Sequence, residues 1–296
     1  MNDFHNSCSV GIMAYNEEAN IKIQFHSLLS QELSSCIIDE IAVVSSGSTD
    51  NTEKIVEHFS KIDSRIKLII QDRRLGKASA INLFLKNAKN KICILVNSDT
   101  ILDKNAIEFL IRPFHNLNVG MTGARPAPMN SSHTFVEYVC QFMWRLHHKI
   151  SLKSPKMGEL IAFRKGVINK IPEETAVDEV CIESIVKRND YKLVYVPESK
   201  VYIKTPDTIR DFIIQRRRIA TGHLWAGKNL KYIPSTRNKW LTLKLTLKEL
   251  SWNPKIIFFT LEAVFLECLS RILGMYDYYI RRQNPYIWEV AKSTKK

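Results

Sequence analysis

The first hundred residues alternate between short apolar segments and segments with helical periodicity. Four apolar runs have the length of buried strands, and two of them are rich in Val and Ile: residues 9–14, 40–45, 66–70 and 91–97. Three helical patterns lie between them: residues 17–33, 50–62 and 76–88. Such an alternation predicts a parallel sheet with right-handed crossovers and helices on its faces. The sequence therefore predicts an α/β fold.

Polar loops follow three of these predicted strands. They are residues 15–18, 45–50 and 97–100. Ligands of parallel sheets bind beyond the carboxyl ends of the strands. We therefore expect the three loops to meet in one cleft.

The chain after residue 103 is less regular. We predict strands at 119–123, 158–164 and 191–196, a helix near 134–150, and a basic helix at 207–224. A linker at 234–236 separates the remaining residues. This organisation favours one domain at 1–230, divided into halves at 1–115 and 116–230, and a helical region at 231–296.

Residues 256–273 are rich in Phe, Ile and Leu, but Glu262, Glu267 and Arg271 interrupt them. A membrane span needs about 20 mostly apolar residues, so this segment instead predicts an amphipathic helix. Its apolar face would contain Ile257, Leu261, Val264, Phe265, Cys268 and Ile272. That face either packs on the domain or lies on a bilayer surface, and the sequence leaves both alternatives open.

The net charge of +13 favours an anionic partner, which includes nucleic acid, acidic lipid and phosphorylated substrates. No nucleic-acid-binding module is recognisable, so we expect no nucleic acid partner. Six scattered cysteines without a CxxC pair indicate reduced thiols. Residues 1–7 contain no apolar core of a signal peptide. We therefore expect a cytoplasmic protein, with peripheral contact at the cytoplasmic membrane face as a further expectation.

Six motifs occur in a recognisable order. They are Ala14-Tyr-Asn-Glu-Glu18, Val43-Val-Ser-Ser-Gly-Ser-Thr-Asp-Asn-Thr52, Gly76-Lys-Ala-Ser-Ala-Ile-Asn82, Val96-Asn-Ser-Asp-Thr100, Val177-Asp-Glu-Val180 and Gln215-Arg-Arg-Arg218. In this order they resemble glycosyltransferase family 2, the inverting transferases with the GT-A fold, over residues 9–224. The resemblance implies a GT-A-type, Rossmann-like mixed sheet flanked by helices, followed by a C-terminal helical extension.

The resemblance also implies roles for individual residues. Asp99 would bind a divalent cation, Mg²⁺ or Mn²⁺, and Glu179 or Asp178 would be the catalytic carboxylate. The nucleotide-sugar would be bound by Ala14, Tyr15, Asn16, Glu17, Ser45, Ser46, Asp50, Lys77, Asn82, Asn97, Ser98, Gln215 and Arg218.

The chain departs from the family pattern at several positions. Ser45 and Ser46 replace two carboxylates, and Asn97 replaces the first aspartate of the metal motif. The acidic pair is Asp178-Glu179 rather than Glu-Asp, and Ile219 stands where Trp is frequent. A hard cation prefers oxygen ligands, and one carboxylate with diphosphate oxygens is enough to hold it.

The chemistry of these residues fits sugar transfer. A cation on Asp99, with Arg218, would stabilise a departing diphosphate. Glu179 would take the proton of an attacking hydroxyl, whereas an acceptor phosphate would need no base. We therefore expect an inverting, metal-dependent transferase that moves a sugar from a UDP- or GDP-sugar to a lipid-linked or polysaccharide acceptor.

Simpler interpretations exist for each motif. Asp99, Asn16 and the 48–50 segment are also typical of helix starts, and the acidic pair and arginines are typical of solvated faces. The altered motifs leave a non-catalytic nucleotide-sugar-binding protein as one alternative. A nucleotidyltransferase is another, although no Gly-rich phosphate loop is visible near the N-terminus.

Overall fold

A computed structural model describes residues 6–130, 134–249 and 253–287. Its strands form one mixed sheet, and their bounds are β1 (Asn6–Ala14), β2 (Cys36–Ser46), β3 (Ile66–Gln71), β4 (Ile92–Asn97), β5 (Thr100–Leu102), β6 (Val119–Pro128), β7 (Leu160–Arg164) and β8 (Lys192–Ile203). The strand order is β3-β2-β1-β4-β7-β6-β8-β5. The four strands predicted in the first hundred residues are confirmed as β1 to β4.

The helices of the described residues are α1 (Ile21–Leu29), α2 (Thr52–Ile62), α3 (Lys77–Asn87), α4 (Ala106–Ile111), α5 (Phe135–Ser151), α6 (Asp178–Arg188), α7 (Ile209–Asn229), α8 (Lys239–Glu249) and α9 (Pro254–Tyr279). The three predicted crossover helices are α1, α2 and α3, of which α1 is shorter at both ends than predicted. Neither α6 nor α8 was foreseen, and both contribute to the site described below.

The sheet is parallel from β3 to β4 and changes direction at β7, which is antiparallel to both β4 and β6. Apolar cores cover both faces, one beneath α1, α2 and α4 and the other beneath α3 and α6. Phe84 of α3 lies so close to β1 that a Cβ on Gly11 would be 2.8 Å from its ring. Because the parallel strands end at one edge, their following loops are brought together there.

The C-terminal helices pack against the rest of the molecule. A Cβ on Gly274 of α9 would lie 2.7 Å from the Cβ of Ala220, and the Thr221 hydroxyl of α7 donates a 3.2 Å hydrogen bond to the Gly274 carbonyl. Leu245 of α8 packs against Leu146 of α5. The boundary at residue 230 stays a prediction, and residues 250–252 and 288–296 of the predicted C-terminal region lie outside the described residues.

None of the described helices has both the length and the apolar content needed to cross a membrane. All six cysteines are free thiols, and five of them are buried while Cys268 is exposed.

Candidate active site

The loops after β1 and β4 and the last residue of β2, Ser46, meet at one large cavity of about 950 Å³. The predicted ligand-binding residues in its lining are Ala14, Tyr15, Glu17, Ser46, Lys77, Asn97, Ser98, Asp99, Asp178, Glu179, Gln215 and Arg218. The Thr100 hydroxyl donates a 2.8 Å hydrogen bond to the Asn97 carbonyl. This bond closes the tight turn that carries Asp99 between β4 and β5.

Asn16 and Asp50 join the first two loops to each other. Asn16 has a left-handed backbone with φ of 52°, and its Oδ1 accepts a 2.8 Å hydrogen bond from the Thr49 amide. Asp50 accepts hydrogen bonds from the Glu18 amide and from Thr52 at the start of α2. Burial raises the pKa of Asp50, but these hydrogen bonds outweigh it and lower the pKa overall. The structure thus gives both residues a scaffold role and does not place them in the cavity lining.

Ser45 and Asn82, two further predicted nucleotide contacts, also lie behind the lining. The Ser45 hydroxyl donates a 2.6 Å hydrogen bond to Glu53 of α2. Asn82 exchanges two 2.9 Å hydrogen bonds with the backbone of Ile171 and so fixes α3 to the segment before α6. Ser46 does line the cavity, where its hydroxyl donates to Gln71.

Lys77 links the start of α3 to the acidic pair at the start of α6. Its Nζ lies 2.9 Å from Asp178 Oδ2 and 3.7 Å from Glu179 Oε1. Burial lowers the pKa of Lys77, but the two carboxylates outweigh it and raise the pKa. The Asp178 side chain is 7% exposed, whereas that of Glu179 is 22% exposed. Glu179 is therefore the carboxylate that an incoming substrate reaches more easily.

Burial and the neighbouring Asp178 raise the pKa of Glu179, while the charges of Lys77 and Lys156 oppose the rise. Desolvation disfavours the ionised form of a carboxyl group, and a second carboxylate adds to that effect. A carboxyl group with a raised pKa is a stronger proton acceptor once it is ionised. This is the electrostatic environment expected of a general base.

Glu159 is a site residue that the sequence analysis missed. It lies in the cavity lining just before β7, where it accepts a hydrogen bond from Asn97 Nδ2. Burial, Asp99 and Glu179 raise the pKa of Glu159 to about 7. The only sequence signal was a carboxylate directly preceding an apolar strand. The chain thus has a carboxylate next to the asparagine that replaces an aspartate in the metal motif.

The three consecutive arginines of α7 point in different directions. Arg216 makes two 2.8 Å hydrogen bonds to Glu267, and Arg217 is paired with Asp277, both on α9. Arg218 faces the carboxylates instead: burial lowers the pKa of its guanidinium, while Glu179, Asp178, Glu159 and Asp99 act in the opposite direction. Arg218 therefore supplies positive charge to the acidic side of the cavity.

Two further features of the cavity were not predicted. The guanidinium carbon of Arg74 lies 4.1 Å from the centre of the Tyr15 ring, and both residues line the cavity. The C-terminal residues Pro285, Tyr286 and Ile287 also contribute to the lining. A Cβ on Gly76 would lie 3.0 Å from the Tyr286 carbonyl oxygen, and Gly76 has φ of 94°. A side chain at position 76 is therefore excluded by both space and backbone conformation.

The described residues contain no group of three or more His, Cys, Asp or Glu side chains placed to hold a metal ion. Asp99 and Glu159 instead both line the cavity, where their charges interact with each other and with Arg218. Such a set suits a cation that takes its remaining ligands from a substrate.

Two family models match this chain. The model described as "Glycosyl transferase family 2" matches residues 9–164, and the model described as "Glycosyl transferase family group 2" matches residues 92–281. Because the first model alone covers more than half of the chain, the protein belongs to glycosyl transferase family 2. Its enzymatic class is accordingly glycosyl transfer, as the motifs had indicated.

Poly-beta-1,6-N-acetyl-D-glucosamine synthase of Staphylococcus epidermidis is 24% identical over 222 residues, which cover 71% of this chain and 53% of that protein. The enzyme of the same name from Staphylococcus aureus strain COL is 22% identical over 222 residues, with the same coverage. The chain spans about half the length of the curated relatives it matches.

Solved structures share the fold. The mannosyltransferase PcManGT from Pyrobaculum calidifontis, in complex with GDP-Man and Mn²⁺, has a TM-score of 0.64 at 19% identity, with 94% of this chain and 81% of that chain covered. Residues 1–349 of S. aureus TarS in complex with UDP-GlcNAc give 0.54 at 16% identity, with 92% and 91% covered. The predicted GT-A-type mixed sheet with a C-terminal helical extension is therefore confirmed.

Proposed function

We propose that this glycosyltransferase moves a sugar, with inversion at the anomeric carbon, from a UDP- or GDP-sugar to a hydroxyl of a lipid-linked or polysaccharide acceptor. The observation that carries the proposal is the convergence of Asp99, Glu179 and Arg218 in one cavity with the loop after β1 and the end of β2. Solved neighbours bound to GDP-Man and UDP-GlcNAc support a nucleotide-sugar donor.

The donor's diphosphate would lie on the side of the cavity where Asp99 and Arg218 meet. A divalent cation, Mg²⁺ or Mn²⁺, fits the oxygen donors there, because Asp99 and Glu159 offer carboxylates and Asn97 is already bonded to Glu159. Bound there, the cation would neutralise charge on the diphosphate leaving group. Arg218 would add a fixed positive charge at the same place. Solved structures with a similar fold contain Mn²⁺, which supports this assignment.

Glu179 would act as the general base. The acceptor hydroxyl attacks the anomeric carbon, its proton passes to the Glu179 carboxylate, and the bond between the anomeric carbon and the diphosphate oxygen breaks. Asp178 is held by Lys77 at 2.9 Å and is more deeply buried, so it would position the pair rather than receive the proton. Both products, a glycosylated acceptor and a nucleoside diphosphate, are then accounted for.

A thermal-shift panel tests the donor assignment. UDP, GDP, UDP-sugars and GDP-sugars are each added with and without Mn²⁺, and the melting temperature is measured. A ligand that binds the folded state alone at a hundred times its Kd stabilises the protein by about 2.7 kcal/mol. We expect one base to raise the melting temperature more than the other, and Mn²⁺ to increase that shift. No shift with any nucleotide would contradict the proposal.

The outer face of the C-terminal helices supports contact with a membrane. In α9 the large apolar side chains face outward, with Leu261 at 62%, Phe265 at 64% and Ile272 at 57% exposure, and Trp240 of α8 is 82% exposed. The inward side of α9 contains small and polar residues together with Leu266, and it is joined to α7 by the Arg216–Glu267 bonds. The helix thus packs through a side of mixed composition and leaves most of its large apolar side chains exposed.

We call the outward apolar residues of α8 and α9 the α8–α9 face; it comprises Trp240, Leu243, Leu247, Phe258, Leu261, Phe265, Ile272, Met275 and Tyr279. Exposed lysine and arginine side chains occur along the same helices and just after them, namely Lys239, Lys244, Lys248, Lys255 and Arg282. A large exposed apolar patch marks an interaction surface, and its basic surroundings complement anionic lipid headgroups. We propose that it rests on the cytoplasmic surface of a membrane.

Replacing Phe265 and Ile272 together with serine is expected to weaken binding to vesicles containing anionic lipid by about tenfold or more, because apolar area is lost from the contact. Vesicle co-sedimentation measures this. Leu117→Ser, which removes an apolar side chain exposed elsewhere, is the control and should leave sedimentation unchanged. Equal sedimentation of all three proteins would argue for a different occupant of the face.

A further inference from the structure

The cavity extends beyond the proposed donor site into a second part between α5, α7, α8 and α9. We call it the apolar branch, and it is lined by Trp144, Ile150, Ile219, Leu243, Val264 and Cys268. Leu243 and Val264 are 50% and 42% exposed. Leu243 also belongs to the α8–α9 face, so the apolar branch reaches the surface where we place the membrane.

Positive charge is concentrated in the wall of the apolar branch. Glu267 accepts hydrogen bonds from both Arg216 and Arg271, at 2.8 and 2.7 Å. Arg237 adds a third guanidinium to the same lining. Burial and the nearby Arg271 lower the pKa of Arg237. Two guanidinium groups therefore bond to Glu267 and a third lies near one of them, which leaves positive charge in excess.

Two histidines lie in the same wall, His147 and His223. Burial first, and then the charges of Lys156 and Arg216, lower the pKa of both, that of His147 to about 3. The Nδ1 atom of His147 is buried and has no hydrogen-bond partner among the described residues. Buried polar atoms are normally hydrogen-bonded. The missing partner of this atom would therefore be a polar group of a ligand bound in the apolar branch.

We propose that the apolar branch binds the phosphate and the adjoining hydrocarbon chain of a lipid-linked acceptor. The phosphate would lie against Arg237 and His147, and the chain would leave past Leu243 and Val264 toward the bilayer. Lys156, Glu179 and His147 line the same cavity, so the two parts are continuous. The sugar end of the acceptor would thus extend from the phosphate to the base. The inference rests on the proposed function and specifies its acceptor.

The combination of features selects this ligand class. A neutral sugar or polysaccharide would accept hydrogen bonds from the guanidinium groups but would leave their excess charge and the apolar lining without a counterpart. A free inorganic phosphate would use the charge but leave the apolar lining empty. A phosphate ester with a hydrocarbon chain uses both, because burial of its chain and charge-assisted hydrogen bonds to its headgroup act together.

The test measures binding to the full chain by calorimetry. Farnesyl phosphate is the probe, and farnesol and inorganic phosphate are titrated separately as its two fragments. We expect farnesyl phosphate to bind at least about tenfold more tightly than either fragment. Arg237→Gln should weaken farnesyl phosphate by about tenfold, the typical effect of losing one charged hydrogen-bond donor. Val264→Trp should also weaken the binding of farnesyl phosphate, because the larger side chain would fill the opening through which the hydrocarbon chain leaves the cavity. Arg210→Gln removes an equal charge from an exposed position of α7 outside the cavity lining and should change nothing.

Nucleotide binding, measured on the same variants, separates the two proposals. If nucleotides bind normally but farnesyl phosphate does not bind, or binds equally to the wild type and Arg237→Gln, the acceptor inference is wrong and the donor assignment stands. If neither class of ligand binds, the proposed function itself is wrong. If farnesol binds as tightly as farnesyl phosphate, the guanidinium groups do not have the proposed role in binding.

Discussion

Asp99→Ala is expected to lower kcat for sugar transfer by about a hundredfold or more, equivalent to about 3 kcal/mol of transition-state stabilisation. Asp99 is the carboxylate that the metal motif retains, and Asn97, at the other position, donates its amide to Glu159. Without Asp99 the cation would lose a charged ligand, and the diphosphate would depart with less of its charge neutralised. The rate of nucleoside diphosphate release, measured across a Mn²⁺ titration, gives the effect.

Asp99→Asn keeps the shape and removes the charge, so it should be impaired nearly as much as Asp99→Ala. Asp72→Ala is the matched control, because this exposed aspartate follows β3 and lies outside the cavity lining. The control should retain the wild-type rate and Mn²⁺ dependence. An Asp99→Ala protein with full activity and unchanged response to Mn²⁺ would remove the metal from the proposal.

The nucleotide-binding half of the fold was readable from the sequence because its signals are local. Strands such as β4, with Ile92–Asn97 almost entirely buried, appear as continuous apolar runs, and polar residues end each run. Right-handed crossovers then make these strands parallel, whereas their order in the sheet came from the structure. The bounds of α1 were less accurate, because residues 17–20 form turns that join the first two loops.

Glu159 was not predictable in the same way. Its role depends on β7 being inserted antiparallel between β4 and β6, which brings residues 97 and 159 together although 62 positions separate them. The pairing of Lys77 with Asp178 likewise joins the starts of two helices far apart in the chain. Such contacts are consequences of topology, and local periodicity carries no information about them.

The sequence showed that α9 is amphipathic but not which face it buries. Hydrophobicity alone favours burying Leu261, Phe265 and Ile272, yet the structure exposes them. The reason is that Glu267 and Asp277 find arginine partners on α7, and Gly274 permits the two helices to approach closely. Residues of α8 were missed because leucine alternates with polar residues at 241–248, a period of two that is more typical of strands.

Glu179→Gln is expected to reduce transfer to a hydroxyl acceptor by about 10² to 10⁴-fold, the usual contribution of a general base, while nucleotide binding is retained. The base must be ionised to accept a proton. Because burial and Asp178 raise the pKa of Glu179, wild-type activity should fall as the pH drops through a value above about 4.3, where an ordinary glutamate titrates. Above that raised pKa the rate should be independent of this group.

The pH profile needs a second variant, because Glu159 also has a raised pKa and lies close enough to Glu179 to interact with it. Interacting carboxyl groups titrate as a pair, and Asp178, Lys77 and Lys156 also act on Glu179. If Glu179 is the base, Glu159→Gln should preserve the acid limb of kcat, because burial and Asp178, which raise the pKa of Glu179, are both unchanged. Glu179→Gln should abolish that limb together with most of the rate. An acid limb that survives in Glu179→Gln and disappears in Glu159→Gln would instead assign the proton transfer to Glu159.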